Sequence, residues 1–432
     1  MASFARKFIV TATLAGTMHL PMSAQAMTQQ EFLTIFTPQN FQQLFPGLTS
    51  TQYTQISDAT TSTLSGNANC LATYNEYFNQ GLNDPPSYDS CIGALTTAIN
   101  TAATLGLTSA EVDQNFLLMY YTYANQVITP VITQQIQEST SFRQADQISR
   151  ALSSAGNARR QSGPARVALT SGMSGMAAGS MPSKTNMWLS AATDSIKNTL
   201  ASSRYDGDVR NFIGGADYTL DSGVVIGLSL ARDDLKMNTA YNGGKLEVSS
   251  WMAAPYISHV INDTWSIDAS AGFAWGKSDV TWRTSTGGND KTTQNLTRNY
   301  QAINLNAQQW RGETEYAGKV KLTRAEERLD ANTALLTAAK KNSITQLGVV
   351  GRVGQWMNNY QPYVELAYTY DLARTDYDKL PTELKDKDGW NIVLGIDIFS
   401  KKGMTGGVMY SKQMGRHYLK SDALMGNINY RF

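Results

Sequence analysis

The sequence predicts a mainly β protein, in which an antiparallel transmembrane β-barrel of about twelve strands follows a small N-terminal α-helical domain. Three observations lead to this prediction. Apolar residues alternate with polar or small ones from about residue 186 to Phe432, a signal-peptide pattern opens the chain, and helix-capping pairs occur before residue 130. A period of two puts alternate side chains on opposite faces of a sheet. Because closure pairs every backbone polar group, such strands can cross a bilayer.

The N-terminus has the pattern of a secretory signal peptide, which we assign to residues 1–26. Basic residues precede an apolar run at residues 8–20, and small residues follow at Ala24 and Ala26, the positions that a signal peptidase reads. The mature chain is expected to begin at Met27. No later stretch reaches the roughly 18 consecutive apolar residues that a membrane-spanning helix needs.

Residues 27–129 are expected to form a small helical domain. Thr28 with Glu31 and Thr108 with Glu111 fit the capping box, in which a hydroxyl and a carboxylate satisfy backbone amides at the start of a helix. After Thr108 the apolar residues recur at helical spacing. The domain contains no lysine or arginine, so its surface is mildly acidic.

The chain has two cysteines, Cys70 and Cys91, and both follow the signal peptide. Because an exported chain meets an oxidising compartment, a disulfide between them is expected. Closing a loop of this length would stabilise the domain by about 3 kcal/mol, by constraining the unfolded chain. Two buried free thiols are the alternative.

Residues 130–185 combine a polar helix, expected to end near Ala155, with a linker rich in small residues. Between residues 143 and 185 the only acidic residue is Asp146, whereas arginines accumulate. The arginines are Arg143, Arg150, Arg159, Arg160 and Arg166. We predict that residues 144–166 plug the barrel lumen, because a barrel of this size needs something inside it. A solvated flexible linker is the alternative.

Carboxylates on the inward faces of the strands would neutralise this plug, since an unpaired arginine cluster is costly to desolvate. The alternation suggests which carboxylates these are. They are Asp217, Glu247, Asp268, Glu313, Glu315, Glu365 and Asp397.

Residues 186–432 are expected to form the barrel itself. Short turns such as residues 221–223 alternate with longer polar loops, one of them near residues 285–299, as in bacterial outer-membrane barrels. The strand after residue 245 is expected to turn one apolar set to a single face. This set is Leu246, Val248, Met252, Ala254, Tyr256 and Val260.

The last strand ends the chain on an aromatic residue. Its apolar face contains Leu424, Ile428, Tyr430 and Phe432. An edge strand of a soluble sandwich is the alternative, but the many alternating strands before it disfavour that interpretation. An aromatic-ended strand of this kind is similar to the terminal strand of bacterial outer-membrane barrels, and that likeness implies a signal for the barrel-assembly machinery.

Further motifs follow one another along the same part of the chain. Residues 214–218 with Asp221 and Gly227 form an early motif, and residues 361–364 form a later Pro-Tyr motif. The chain then closes with Gly395, Tyr410, Gly415, Arg416, Tyr430, Arg431 and Phe432. In order and spacing, residues 185–432 resemble the outer-membrane translocator domain of the autotransporter family, the proteins of type V secretion.

The resemblance implies a twelve-stranded barrel whose pore holds a helix leading to an N-terminal passenger at the cell surface. It also implies export machinery and outer-membrane lipid as partners. This chain departs from the family in its short helical passenger, since residues 27–185 contain no repeat. The paired asparagines that some members use for self-cleavage are missing, so the passenger is expected to stay attached.

Candidate catalytic residues are scarce. After the signal peptide the histidines are His259 and His417, expected on the polar face near a periplasmic turn and near an outer loop, respectively. Without a histidine, the helical domain cannot hold a Ser-His-Asp triad. Two cysteines with no histidine near them make a poor zinc site. We therefore expect no enzyme activity, cofactor or metal, and a net charge of +1 suggests no nucleic acid.

Two functions remain open. An autotransporter-like barrel would anchor and display, or secrete, its own short helical domain at the cell surface, for adhesion or another interaction. An outer-membrane channel or porin-like protein would instead keep that domain in the periplasm and conduct ions. The excess of arginine in the plug favours display, whereas the cysteine pair opposes it, since a closed loop is harder to pass through a pore.

Overall fold

The computed structural model describes most of the barrel and part of the chain before it. The described ranges are 47–67, 88–113, 135–157, 184–200, 204–240, 243–283, 289–331, 339–375, 385–399 and 404–431, together with Phe36, Pro38, Phe41, Gln42, Cys70, Ile132 and Tyr377. The predicted cleavage positions Ala24 and Ala26, the arginines at 159, 160 and 166, and the terminal Phe432 lie outside them.

A closed antiparallel barrel forms the larger part of the molecule. Its strands, β1 to β12, pair in sequence order, and β1 also pairs with β12. In order they span Thr185–Asn198, Tyr205–Thr219, Val224–Thr239, Gly244–Val260, Trp265–Arg283, Asn289–Arg311, Thr314–Leu329, Lys340–Gln355, Tyr360–Arg374, Asp388–Phe399, Met404–Met414 and Leu419–Arg431. The predicted fold class, a twelve-stranded antiparallel β-barrel with short helices before it, is confirmed.

The two ends of the barrel differ in their connections. Because the strand number is even, the start of β1 and the end of β12 lie at the same end. Here the strands are joined by short turns such as residues 220–223 and 312–313, and we call this the short-turn end. Connections such as residues 330–339 and 375–387 lie at the opposite, long-loop end.

Strands β5 and β6 are 19 and 23 residues long. A bilayer crossing needs only about 9–11 residues, so this hairpin continues beyond the lipid at its long-loop end. The polar loop expected near residues 285–299 is therefore wrong from Asn289 onward, where β6 begins. Polar side chains are accommodated there because that part of the strand faces water.

Strand β4 turns its predicted apolar set to a single face, as expected, but that face points into the lumen. Met252 and Tyr256, predicted with the apolar set, point into the lumen and are 1% and 4% exposed, whereas Trp251 and Ile257 point outward. The Tyr256 hydroxyl accepts a hydrogen bond from Trp188 Nε1 at 2.8 Å. Both faces of β4 carry large apolar residues, so alternation alone could not decide which one contacts lipid.

Before the barrel, the described residues contain three α-helices and a π-helix. They are α1 (Ser50–Gly66), α2 (Tyr88–Ala103), the π-helix (Glu138–Phe142) and α3 (Arg143–Asn157). None of the described helices has the length and apolar character to span a membrane.

Local capping explains where two helical segments begin. Thr49 caps α1, with its hydroxyl accepting from the Gln52 amide at 3.3 Å and its own amide donating to Gln52 Oε1 at 2.9 Å. The predicted Thr108–Glu111 capping box is present, with the reciprocal distances of 2.9 and 3.3 Å. Hydrogen bonds from the Thr108 amide and hydroxyl lower the pKa of Glu111.

The helical domain shares its apolar core with the barrel. The predicted disulfide is confirmed, because Cys70 and Cys91 are bonded. Around it, the buried residues of α1 and α2 form one cluster with lumen-facing residues from the long-loop ends of β1, β2, β3, β4 and β6. The barrel residues are Ile196, Tyr205, Val209, Leu235, Met237, Val248 and Leu296. One apolar cluster, which also contains Ile132 and Ile136, therefore extends from the helices to the inner surface of the barrel wall at its long-loop end.

Removing the disulfide is expected to loosen the helical domain and leave the barrel unchanged. The variant Cys70→Ser/Cys91→Ser should lower the free energy of unfolding of this domain by about 3 kcal/mol, because the unfolded chain regains its loop entropy. Urea-dependent proteolysis of folded protein measures the domain, and heat-modifiable gel migration serves as the control for the barrel. Equal proteolysis of variant and parent across the urea range would contradict the prediction.

Candidate functional site

The barrel lumen contains the π-helix and α3. One stripe of α3, formed by Ala145, Ile148 and Leu152, is at most 4% exposed and belongs to a cluster with lumen-facing residues of β1 to β8. Their spacing of three and four residues places them on one side of the helix. The apolar side of α3 thus packs on the inner wall of the barrel, and its polar side faces the rest of the lumen.

Arg150 lies on the polar side of α3 and joins the helix to β9. Its Nη1 and Nη2 donate to the two carboxylate oxygens of Glu365 at 2.9 and 2.7 Å. Its Nε donates to Asp146 one turn earlier at 2.9 Å. This two-pronged geometry is among the strongest hydrogen-bonding arrangements available to an arginine.

A second, mostly buried arginine with 17% of its side chain exposed continues this network toward the short-turn end. Arg352 of β8 donates to Glu315 at 3.1 Å and to Asp397 at 2.6 Å, and its guanidinium lies 3.6 Å from Glu365. It also stacks on Tyr363, 3.7 Å from the ring centroid. The charges around the C-terminal half of α3, which lies nearer the short-turn end, therefore neutralise one another across several strands.

The π-helix and the N-terminal half of α3, which lie nearer the long-loop end, make a separate set of contacts. Gln144 donates to both oxygens of Asp233, at 2.8 and 2.9 Å. Arg298, fully buried on β6, donates to Glu327 at 2.7 and 3.0 Å and to the Thr140 hydroxyl of the π-helix at 2.9 Å. The carboxylates of Asp233 and Glu327 are thus paired with buried donors, as burial requires.

The connection between β11 and β12 reaches into the long-loop mouth of the lumen. Arg416 donates to Glu138 of the π-helix at 3.0 Å and to Asp371 of β9 at 3.3 Å. Gln346 donates to the same two carboxylates, at 3.2 and 2.9 Å. Glu138 is therefore attached to a loop side chain and to the barrel wall at once.

Space remains on the polar side of α3. One cavity of about 130 Å³ is lined by residues that include Arg150, Lys319 and Asp397, and another of about 110 Å³ by residues that include Glu138, Lys321 and Gln413. Both cavities contact Arg150 and Glu365. The helix thus fills one side of the lumen and leaves a polar space along the other.

Two of the predicted plug arginines lie in the described part of the chain. Arg143 forms an ion pair with Asp194 of β1, and Arg150 pairs with Glu365. Among the predicted carboxylates, Asp217, Asp268, Glu315 and Glu365 are inward and at most 5% exposed, and Asp397 pairs with Arg352. Glu247 and Glu313 are exposed instead, which corrects their predicted orientation.

Four lumen carboxylates were not among those predicted, namely Asp194, Asp233, Glu327 and Asp371. The sequence contained a signal for two of them. Asp233 continues the inward series of Gly227, Ser229 and Ala231, and Asp371 continues that of Glu365 and Thr369. Following each series to the end of its strand would have found both.

The two histidines lie outside this network, although His417 follows Arg416 in the chain. His259 is exposed on the outward face of β4, so its predicted place on the polar face is wrong. His417 lies at the long-loop end, with Nδ1 3.2 Å from Asp386, and its side chain is 62% exposed. Within the described ranges, no group of three or more His, Cys, Asp or Glu side chains could hold a metal ion.

The terminal strand turns its apolar residues outward. Leu424, Ile428 and Tyr430 are 52%, 57% and 43% exposed on the surface of the barrel. This orientation fits a strand that contacts lipid at one face and β1 and β11 at its edges. Its role as a signal for barrel assembly stays a prediction.

Comparison with known proteins agrees with this architecture. Residues 187–323 match the family described as the autotransporter beta-domain. No curated protein sequence matches the chain significantly. The translocator domain of the autotransporter NalP from Neisseria meningitidis is similar in structure, with 12% identity and a TM-score of 0.51 over 69% of this chain and 99% of that one.

The beta domain of the Bordetella autotransporter BrkA covers 58% of this chain and 100% of its own, with 16% identity and a TM-score of 0.48. At these identities a structural likeness shows the fold alone, and the NalP likeness supports a barrel of this kind. The family match covers β2 to β6 in whole and parts of β1 and β7. Over these strands the barrel of this chain is similar to an autotransporter beta-domain.

Proposed function

We propose that the barrel anchors the helical domain in the outer membrane and displays it at the cell surface. The observation that supports this most strongly is the apolar cluster that the buried residues of α1 and α2 share with the inner wall of the long-loop end. Outer-membrane barrels carry short turns on the periplasmic side and longer loops outside. A helical domain docked at the long-loop end would therefore face the exterior.

The path of the chain through the lumen supports the same proposal. Arg143 at the start of α3 pairs with Asp194, near the long-loop end of β1. Four residues later Gln147 donates to Ser190 at 3.1 Å, closer to the start of that strand. α3 therefore descends toward the short-turn end, where β1 begins at Thr185. A single passage through the lumen would connect an external domain to a strand that starts on the periplasmic side.

Ion conduction through an outer-membrane channel is the competing function, and the polar cavities beside α3 favour it. That function would keep the helical domain in the periplasm, at the short-turn end. The shared apolar core at the opposite end is the physical argument against it, since separating α1 and α2 from the barrel wall would expose that core to water. Adhesion or another surface interaction is the role we propose for the displayed domain. Export and barrel-assembly machinery are its proposed partners.

Surface labelling of intact cells tests the display. An epitope tag placed directly after Ala26 is expected to bind antibody and to be lost on protease treatment without permeabilisation. The matched control is the same tag in the short turn at residues 221–223, which should be accessible only after permeabilisation. If the N-terminal tag behaves like the tag in the turn, the helical domain is periplasmic and the channel function is favoured.

A further inference from the structure

On the outer surface of β3 to β5, one row of paired residues separates exposed apolar side chains from charged ones. Arg232 pairs in register with Trp251, and Trp251 with Trp275. The next outward positions toward the short-turn end include Leu230 and Phe273, which are 56% and 64% exposed. The two tryptophans are 49% and 54% exposed themselves. Exposed aromatic rings above exposed apolar residues mark the interface between hydrocarbon and headgroups.

Arg232 is held at this interface by its neighbours. Its guanidinium carbon lies 5.5 Å from the centroid of the Trp251 ring. Its Nη2 and Nε donate to the carboxylate of Asp234 at 2.8 and 3.3 Å. The Arg232 side chain is 34% exposed, so part of the guanidinium remains open to the outside of the barrel. Stacking on the indole orients this cation above the apolar surface.

The next outward row adds two cations. Arg210 pairs in register with Asp234, Asp234 with Ser249, and Ser249 with Lys277. Arg210 and Lys277 are exposed, and within the described ranges no ion pair joins either of them to a carboxylate. Together with Arg232 they give three positive charges against the one negative charge of Asp234.

We call the two rows that contain Arg232, Arg210 and Lys277 the positive band. The row beyond it is acidic. The outward row beyond it contains Asp208, Lys236, Glu247 and Asp279, three acids and one base. Lys291 pairs with Asp279 at 2.7 Å and is therefore engaged above the band. The row above that one contains Asp206, Lys245 and Lys291, so the two rows together have four acids and three bases. The positive charge is therefore in excess at the level of the tryptophan row and immediately above it, where lipid phosphates lie, and is balanced by acids in the two rows beyond.

We infer that this surface binds the phosphorylated headgroup of an outer-leaflet glycolipid of the lipid A type. Arg232, Arg210 and Lys277 would contact the phosphates, and the lipid phosphate would share Arg232 with Asp234. Trp251 and Trp275 would contact the sugar rings and the first carbons of the acyl chains. A free phosphate would not contact the exposed Leu230 and Phe273 directly below the cations, whereas the acyl chains of a lipid would. The surface therefore suits a phosphate attached to lipid.

The inference depends on the proposed orientation only for the choice of leaflet. Binding of diphosphorylated lipid A to the purified full-length protein in detergent micelles can be measured by native mass spectrometry without reference to orientation. A negative result here, with surface display intact in cells, would remove the lipid site alone. Binding here, with a periplasmic helical domain in cells, would remove the display alone.

The test compares two triple variants of equal charge. Arg210→Gln/Arg232→Gln/Lys277→Gln is expected to weaken lipid A retention by about tenfold or more, since charge-assisted hydrogen bonds to phosphate are lost. The control Lys236→Gln/Lys245→Gln/Lys291→Gln removes the same charge from the neighbouring rows and should retain lipid like the parent. Heat-modifiable gel migration verifies that both variants are folded barrels.

Two further probes complete the comparison. Dephosphorylated lipid A is expected to bind the parent about as weakly as diphosphorylated lipid A binds the first triple variant. Inorganic phosphate at millimolar concentration should not displace the bound lipid. Equal retention by the two triple variants, equal binding of dephosphorylated lipid, or displacement by free phosphate would each overturn the inference.

Discussion

Deleting residues 144–166 is expected to open the barrel and raise its single-channel conductance in planar bilayers several-fold. The deletion removes Ala145, Ile148 and Leu152, which pack on the inner wall, and Arg150, which crosses the lumen to Glu365. With the helix present, the described residues leave cavities of about 130 and 110 Å³ beside it. Without it, those spaces would join the volume of the helix itself into one water-filled passage.

The deletion keeps residues 167–183 as a tether between the helical domain and β1, so the full-length parent is the appropriate control. Conductance equal to that of the parent would mean that α3 does not block the pore. Rapid proteolysis of residues 144–157 in the folded parent would mean that this segment is not held in the lumen. Either result would restore the channel function as the better explanation.

Replacing Glu365 by glutamine is expected to destabilise the docked helix by about 3–5 kcal/mol, because two mostly buried arginines then lose a shared, buried carboxylate. Arg150 forms two hydrogen bonds with Glu365, and Arg352 lies 3.6 Å from it. Hydrogen exchange of the α3 amides in the folded protein measures the effect. Exchange should accelerate in α3, while the amides of the barrel strands remain protected.

The matched control is Asp279→Asn, which also removes one carboxylate from an ion pair. Lys291 and Asp279 are 55% and 30% exposed on the outer surface, so their pair should contribute at most about 1 kcal/mol. We therefore expect no change in α3 exchange for this variant. A similar acceleration in both variants, or none in either, would show that the Glu365 network does not hold the helix.

Local patterns in the sequence predict much of the barrel. From Ile226 to Leu230 of β3 one face is strongly apolar and the other holds only Gly227 and Ser229, so Ile226, Leu228 and Leu230 had to face lipid. A shift of one residue would exchange the two faces entirely, which makes the choice unambiguous wherever the faces differ. In β4 the faces do not differ in this way, because Met252 and Tyr256 on one face are as apolar as Trp251 and Ile257 on the other.

The lumen shows the limit of such patterns more clearly. The excess of arginine before the barrel indicated a cationic plug, and alternation indicated that carboxylates would line the interior. Which arginine meets which carboxylate depends on how far α3 enters and how it is rotated. Arg150 bonds to Glu365, which lies 215 positions later in the sequence, and no local rule relates the two. Likewise, Arg298 pairs with Glu327 because β6 and β7 lie side by side in register.

By itself the sequence determined the strands, their number, most of their lipid faces, the disulfide and the charge of the plug, because these follow from short-range periodicity and residue chemistry. Only the tertiary structure decided that the helical domain shares a core with Ile196, Tyr205 and Leu235 at the long-loop end. It also decided how the buried charges are paired. Both depend on which residues meet once the barrel has closed, and a one-dimensional pattern contains no information about those contacts between residues far apart in the chain.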